Sequence, residues 1–395
     1  MKILLISSYL PYPLYSGGQV RLYNLIKELS QKHEITLICE RRPNETDSDV
    51  EEAAKICKEV ITVKRKKQWS LGNIVNTVKS SQSFLTTGHT LPEMRQKIQS
   101  VLDKEQFDVI HVETFYIIQN MPETKIPIVL VEHNIEYKVY ERFKNKVLLP
   151  LRLLLAIDIN KIKKEEELAW KRAAQIVAVS KDDQKIIQAK GYAVSVVANG
   201  VNTEKFSLKK FEELPKKDKK ILFIGDFKWL QNKDSASFII KDVWPLLKAN
   251  KDLTLWFVAR TIPQSIRSLT NDVNILFDEN SSANETQEIF QEADVLLAPI
   301  RVGGGTSYKI LESMSCGTPV ITMSLSADAI EAHDGEELLV GKDAAELALK
   351  TSNILEDKKL YQHVSKKGRA FIEQHYRWEE IAKDLDSVYK KASAR

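Results

Sequence analysis

Lys309 and Glu312 stand three residues apart, directly behind the run Gly303-Gly304-Gly305-Thr306-Ser307. On a helix that spacing puts a cation and a carboxylate on one face. The cation suits a phosphate, and the carboxylate can accept two hydrogen bonds from hydroxyls. Adjacent glycines let the backbone bring its N–H groups close to a ligand. A helix that begins there adds the positive end of its dipole, about 0.3–1 kcal/mol toward an exposed anion and up to about 2 kcal/mol when partly buried. A Lys–Glu pair alone is more often a solvated surface pair that contributes little. Three glycines, a capped helix and a strand on either side together favour a phosphate site, which with the lysine and the carboxylate would suit a sugar nucleotide.

The surrounding residues supply the elements that would hold this group. Asp294 to Ile300 reads as a buried strand, and Thr306 stands where a helix N-cap is expected. Ile310, Leu311 and Met314 then recur at helical spacing until Gly317 stops the helix, and Pro319 to Thr322 is a second buried strand. The unit is βαβ.

The run GGGTSYKILESMSCGTPVIT resembles the donor-binding motif of the retaining, GT-B-fold glycosyltransferases of family 4. The resemblance implies an α/β protein of two Rossmann-like domains facing across a cleft. It implies a nucleotide-sugar donor as substrate, with no cofactor and no metal, and a glycan or lipid-linked acceptor. Most of the family has two glutamates bracketing seven residues; here Glu312 is the second, and Gly304 stands where the first would fall. Glu312 is thereby assigned to the ribose hydroxyls, and Gly303, Gly304, Gly305, Thr306, Ser307 and Lys309 to the diphosphate.

At 395 residues the chain exceeds one ordinary core. A net charge of +4 on 58 basic and 54 acidic residues gives no basis for a nucleic-acid partner. Cys39, Cys57 and Cys316 are odd in number and lack metal-ligand spacing, which fits a reduced, cytoplasmic chain. The apolar run in MKILLISSYL is too short for a signal sequence, and no stretch approaches the roughly 18–20 apolar residues of a membrane span.

In the first half, strands are expected at Ile3–Ser7, His33–Cys39, Val60–Val63, Phe107–Val112, Ile126–Glu132, Ile176–Ser180 and Val194–Val197. Gly17 and Gly18 open a helix; they read either as a flexible turn or, by the resemblance, as the paired glycines beside the sugar and diphosphate. Ligands gather beyond the carboxyl ends of parallel strands, where His111 and the tripeptide Glu132 to Asn134 fall. His133 matches the family's histidine that touches the donor sugar. Lys64 to Lys67 beside Trp69 could meet a phospholipid surface or a polyanion, though charge runs are more often solvated loops. The apolar, basic segment from Phe143 to Trp170 reads equally as a membrane-interface helix, giving peripheral contact at the inner face of the membrane, or as a buried helix pair starting at Pro150.

The expected boundaries are 1–206 for an acceptor-side domain, 207–220 for a charged linker and 221–375 for a donor domain. Residues 376–395 are expected to form an amphipathic helix, which the resemblance implies crosses back to the first domain. In the second half, relatives place an Arg after the glycine that ends the first strand, but Asp226 follows Gly225 here, leaving Lys228 and Lys233 as substitutes. Arg260, past the next expected strand, is also placed for an anion. No paired carboxylates mark a glycosidase. A nucleotide-sugar epimerase and a non-catalytic nucleotide-sugar-binding homologue are the competing readings.

Overall fold

A computed structural model describes residues 1–144, 149–209, 218–249, 252–280, 286–302 and 306–394. The chain divides into two compact units, one of Met1–Ala198 with Ile381–Arg395 and one of Asn199–Glu380. Each is built on one parallel sheet.

The first unit contains β1 (Lys2–Ser7), β2 (Glu34–Arg41), β3 (Glu59–Lys64), β4 (Val109–Glu113), β5 (Ile128–Glu132), β6 (Gln175–Ala178) and β7 (Val194–Val196), in the order β3-β2-β1-β4-β5-β6-β7. Apolar runs such as Ile3–Ile6 and Val129–Val131 are buried, as expected of parallel strands covered on both faces. The order reverses between β1 and β4, so the connections leaving them diverge and open a crevice at their carboxyl ends.

The second unit repeats the plan with β8 (Lys219–Ile224), β9 (Leu253–Val258), β10 (Ile275–Asp278), β11 (Val295–Ala298), β12 (Val320–Thr322) and β13 (Leu339–Val340), in the order β10-β9-β8-β11-β12-β13. Its reversal lies between β8 and β11. Strand β13 falls within HDGEELLV, which reads as an acidic turn; two residues are too short to show a period.

The expected linker differs in two ways. Residues 210–217 lie outside the described residues, and Lys219 and Lys220 already belong to β8. The loop 199–206 counts with the second unit because Val201 N–H donates to Tyr376 O and Arg369 Nη1 donates to Phe206 O. Gly200 faces Trp378 so closely that a Cβ would lie 2.7 Å from the indole, which requires the glycine.

The helix Leu149–Arg172 settles only part of the two readings of its segment. Pro150 falls in its first turn, where no intrahelical N–H is required, and residues 145–148 lie outside the described residues. Ile159, Ile162, Ala169 and Trp170 are buried, whereas Leu153, Leu154 and Ile157 are exposed. The helix Trp378–Ser393 buries Ile381, Leu385, Val388, Tyr389 and Ala392, the stripe its sequence shows.

Candidate functional site

The second unit gathers its polar groups where β8 and β11 diverge. Gly225 follows β8, and a Cβ there would lie 2.8 Å from both Asn232 Cγ and Lys309 Nζ. Only glycine leaves room for those two side chains to meet across the strand end. Asn232, on the helix Leu230–Phe238, donates through Nδ2 to Asp226 O at 2.8 Å, which turns its Oδ1 to accept from Lys309 Nζ at 2.7 Å. The ammonium also lies 4.7 Å from the centre of the Phe223 ring.

Lys309 and Glu312 share the short helix Tyr308–Ser315. Burial pulls the Lys309 ammonium down to about 7 against the attraction of Glu312. Burial likewise pushes the Glu312 carboxyl up to about 8 against the pull of Lys205 and Lys309. Asn232, Thr306, Ser307, Tyr308, Lys309 and Ser326 contribute to the lining of a pocket of about 200 Å³. Thr306 Oγ1 is shielded from water and has no hydrogen-bond partner among the described residues. A buried hydroxyl left in that condition is costly unless something binds it.

Several sequence expectations are refined here. The helix N-cap is Ser307 rather than Thr306, and its side chain makes no capping bond. The backbone enters the helix one residue later than the pattern suggests, freeing the Thr306 hydroxyl from that duty. Gly303, Gly304 and Gly305 lie outside the described residues. Lys228 and Lys233 are exposed and do not line the pocket; Gln231 and Asn232 do. Asp226 has a local role, its Oδ1 accepting the Lys228 backbone N–H at 2.8 Å. Arg260 is exposed beyond β9 and is not part of the lining.

The first unit carries a different cluster at the corresponding place. Glu113 ends β4 fully buried, with Oε2 2.5 Å from His111 Nε2 and Oε1 2.6 Å from His133 Nε2. His111 Nδ1 lies 2.6 Å from the Tyr389 hydroxyl. Tyr9, just past β1, brings its hydroxyl 3.2 Å from His133 Nε2 and 3.4 Å from Glu113 Oε1. Burial raises the Glu113 carboxyl, but the flanking imidazoles outweigh it and hold the group well below the usual carboxylate range. An ionised Glu113 accepts an Nε2–H from each histidine, which fixes both rings.

Gly18 is beside this cluster, since a Cβ on it would lie 3.0 Å from the Tyr9 hydroxyl. Gly17 is the first residue of the helix Gly17–Leu29, whose N-cap is Ser16. Glu132 is structural: it is buried and accepts from Trp170 Nε1 at 2.9 Å. Glu113, Tyr9 and Asn232 are the members that sequence reading misses. Glu113 carried a signal, because His111 and Glu113 sit two apart on one face of a buried strand. Asn232 carried none, since its role depends on Gly225 and Lys309 from distant parts of the chain.

Two doubly wound parallel sheets, with polar groups at both crevices, define the two-unit α/β fold of the GT-B glycosyltransferases. Residues 15–205 match the model described as Glycosyltransferase Family 4, and residues 218–357 the model described as Glycosyl transferases group 1. The chain belongs to the group 1 glycosyltransferases of family 4, and it is a glycosyltransferase. It is 21% identical to a 44.6 kDa protein in the cps region of Klebsiella pneumoniae over 99% of each chain. It is 22% identical to a glycosyltransferase of Methanocaldococcus jannaschii, over 79% of this chain and 83% of that one. Among solved structures, sucrose-phosphate synthase from Thermosynechococcus elongatus aligns with a TM-score of 0.73 at 16% identity, over 100% of this chain and 99% of that one. Anabaena HepE in complex with UDP and glucose aligns at 0.64 and 15% identity, over 99% of each. These structures share the fold.

Proposed function

We propose that the protein moves a sugar from a nucleotide diphosphate donor, a UDP-sugar, to a hydroxyl of a glycan or lipid-linked acceptor, with retention of configuration and without a metal. The observation that carries this reading is the pocket at the β8/β11 divergence. There the half-buried Lys309 ammonium and a Thr306 hydroxyl with no partner among the described residues line the pocket, and Glu312, its carboxyl pushed up by burial, follows three residues after Lys309 on the same helix.

The donor diphosphate would meet Lys309 and Thr306, and Glu312 would accept from the ribose hydroxyls. His133 would turn its Nδ1 to a hydroxyl of the donor sugar, because Glu113 occupies Nε2. The bond from the anomeric carbon to the diphosphate breaks and a bond to the acceptor oxygen forms on the same face. The acceptor proton passes to the departing phosphate oxygen, so no protein base is consumed. Lys309 supplies the positive charge that the leaving group needs. The UDP complexes of HepE support the choice of base.

Calorimetry with UDP, GDP and ADP, without added metal, tests the donor. Selective heat with UDP is expected; no heat with any of the three overturns the donor reading. Turnover unchanged by EDTA and a product with the donor's anomeric configuration by NMR are the further expected results.

A further inference from the structure

The first unit wears one helix inside out. In Leu71–Lys79 the buried residue is Asn73, whose Nδ2 donates to Gln68 O, while Thr77 Oγ1 bonds back to Asn73 O. Leu71, Ile74, Val75 and Val78, spaced as one helical stripe, all face solvent, with Leu71 83% and Val78 80% exposed. Trp69, just before this helix, is 81% exposed, although its ring packs 4.7 Å from Phe84.

A second exposed apolar stripe lies on Leu149–Arg172, formed by Leu153, Leu154 and Ile157. One turn further along, Lys161 Nζ donates to Thr77 O, Ser80 O and Gln82 O, which ties that helix to the C-terminal end of the first. Asp158, in the same turn as Ile157, is occupied by the Phe84 N–H at 2.8 Å. The chain around the first stripe carries charge of one sign. From Lys64 to Pro92 there is no Asp or Glu, while Lys64, Arg65, Lys66, Lys67 and Lys79 are all present. The side chains of Lys66, Lys67 and Lys79 are exposed.

We infer that this face of the first unit docks on an anionic phospholipid surface, with Leu71, Val78 and Trp69 entering the interface and Lys66 and Lys67 meeting the headgroups. An outward apolar stripe, a tryptophan at its edge and a flanking acid-free basic run match a surface that is apolar beneath and anionic above. Among the described residues no helix is long and apolar enough to cross a membrane, so the contact is interfacial. The inference rests on this face alone and is independent of the donor pocket.

Sedimentation of the full chain with vesicles of phosphatidylglycerol and phosphatidylcholine, against phosphatidylcholine alone, tests it. Binding to the anionic vesicles is expected, with tryptophan quenching by brominated lipid that Trp69→Phe diminishes. Because their targets face solvent, Leu71→Ser with Val78→Ser should lower the partition coefficient roughly tenfold or more while leaving UDP binding intact. Lys66→Glu with Lys67→Glu should lower it by about tenfold at low salt and flatten its salt dependence. Equal partition of the Leu71/Val78 variant and the unaltered chain overturns the inference, as does indifference to lipid charge. A dimer in light scattering that the same variant dissolves, without vesicle binding, assigns the face to a second copy instead and also overturns it.

Discussion

The two crevices are built on the same topology and are in opposite electrostatic condition. At the β1/β4 divergence the ionisable groups of the cluster meet one another: Tyr389 meets His111, His111 and His133 flank Glu113, and Tyr9 closes the set. At the β8/β11 divergence the Lys309 ammonium and Glu312 carboxyl are each shifted toward their neutral forms, and Thr306 Oγ1 has no partner among the described residues. A buried network satisfied within the protein rigidifies its members, whereas buried polar groups without partners favour a ligand that supplies them. The first unit therefore holds His133 in a preset orientation, and the second leaves the Thr306 hydroxyl, beside two groups shifted toward neutrality, open to a ligand such as the proposed donor.

The largest test of that contrast is Glu113→Ala, which leaves the buried His111 and the partly exposed His133 without their acceptor. It should cost roughly 3–5 kcal/mol of stability, the size expected when one partner of a buried charged pair is removed, read by chemical denaturation. Removal of His133 itself should spare the fold, since the ring is partly exposed, and lower kcat by about 10²–10³ in a transfer assay. In the second unit, Glu312→Ala should raise the UDP Kd by roughly 10- to 150-fold, equivalent to about 1.5–3 kcal/mol, without loss of stability. Unchanged affinity by calorimetry would remove Glu312 from the ribose.

The smallest expected effect is on pH. On the proposed donor site, binding would need Lys309 charged, which weakens it as pH rises through about 7, and Glu312 ionised, which weakens it as pH falls through about 8. Affinity should therefore peak between about 7 and 8 and fall by up to about tenfold per unit on either side. Glu312→Gln should flatten the acidic limb alone. A profile without a maximum would show that the pair does not titrate with donor binding.

Much of this architecture was legible beforehand. Short, near-continuous apolar runs rich in Ile, Leu and Val, such as ILLIS, IVLVE and ILFIG, fit parallel strands covered on both faces, and they recur in both halves with helical spacers. Lys309 and Glu312 were legible because i,i+3 spacing is local. The helices Leu71–Lys79 and Phe84–His89 were not assigned. The apolar stripe of the first points outward, so its pattern does not report a core.

Sequence by itself determined which residues share a strand or a helix face, since backbone periodicity acts over a few residues. It thereby placed His133 at a strand end and Lys309 and Glu312 on one helix. Only the tertiary structure decided their chemistry. Glu113 is a carboxylate because two imidazoles, one held by a tyrosine 278 residues from it in the chain, outweigh its desolvation. Lys309 meets Asn232 because Gly225 has no side chain to keep them apart. Burial and charge depend on everything within a few ångströms, and those neighbours come from segments that local sequence spacing does not relate.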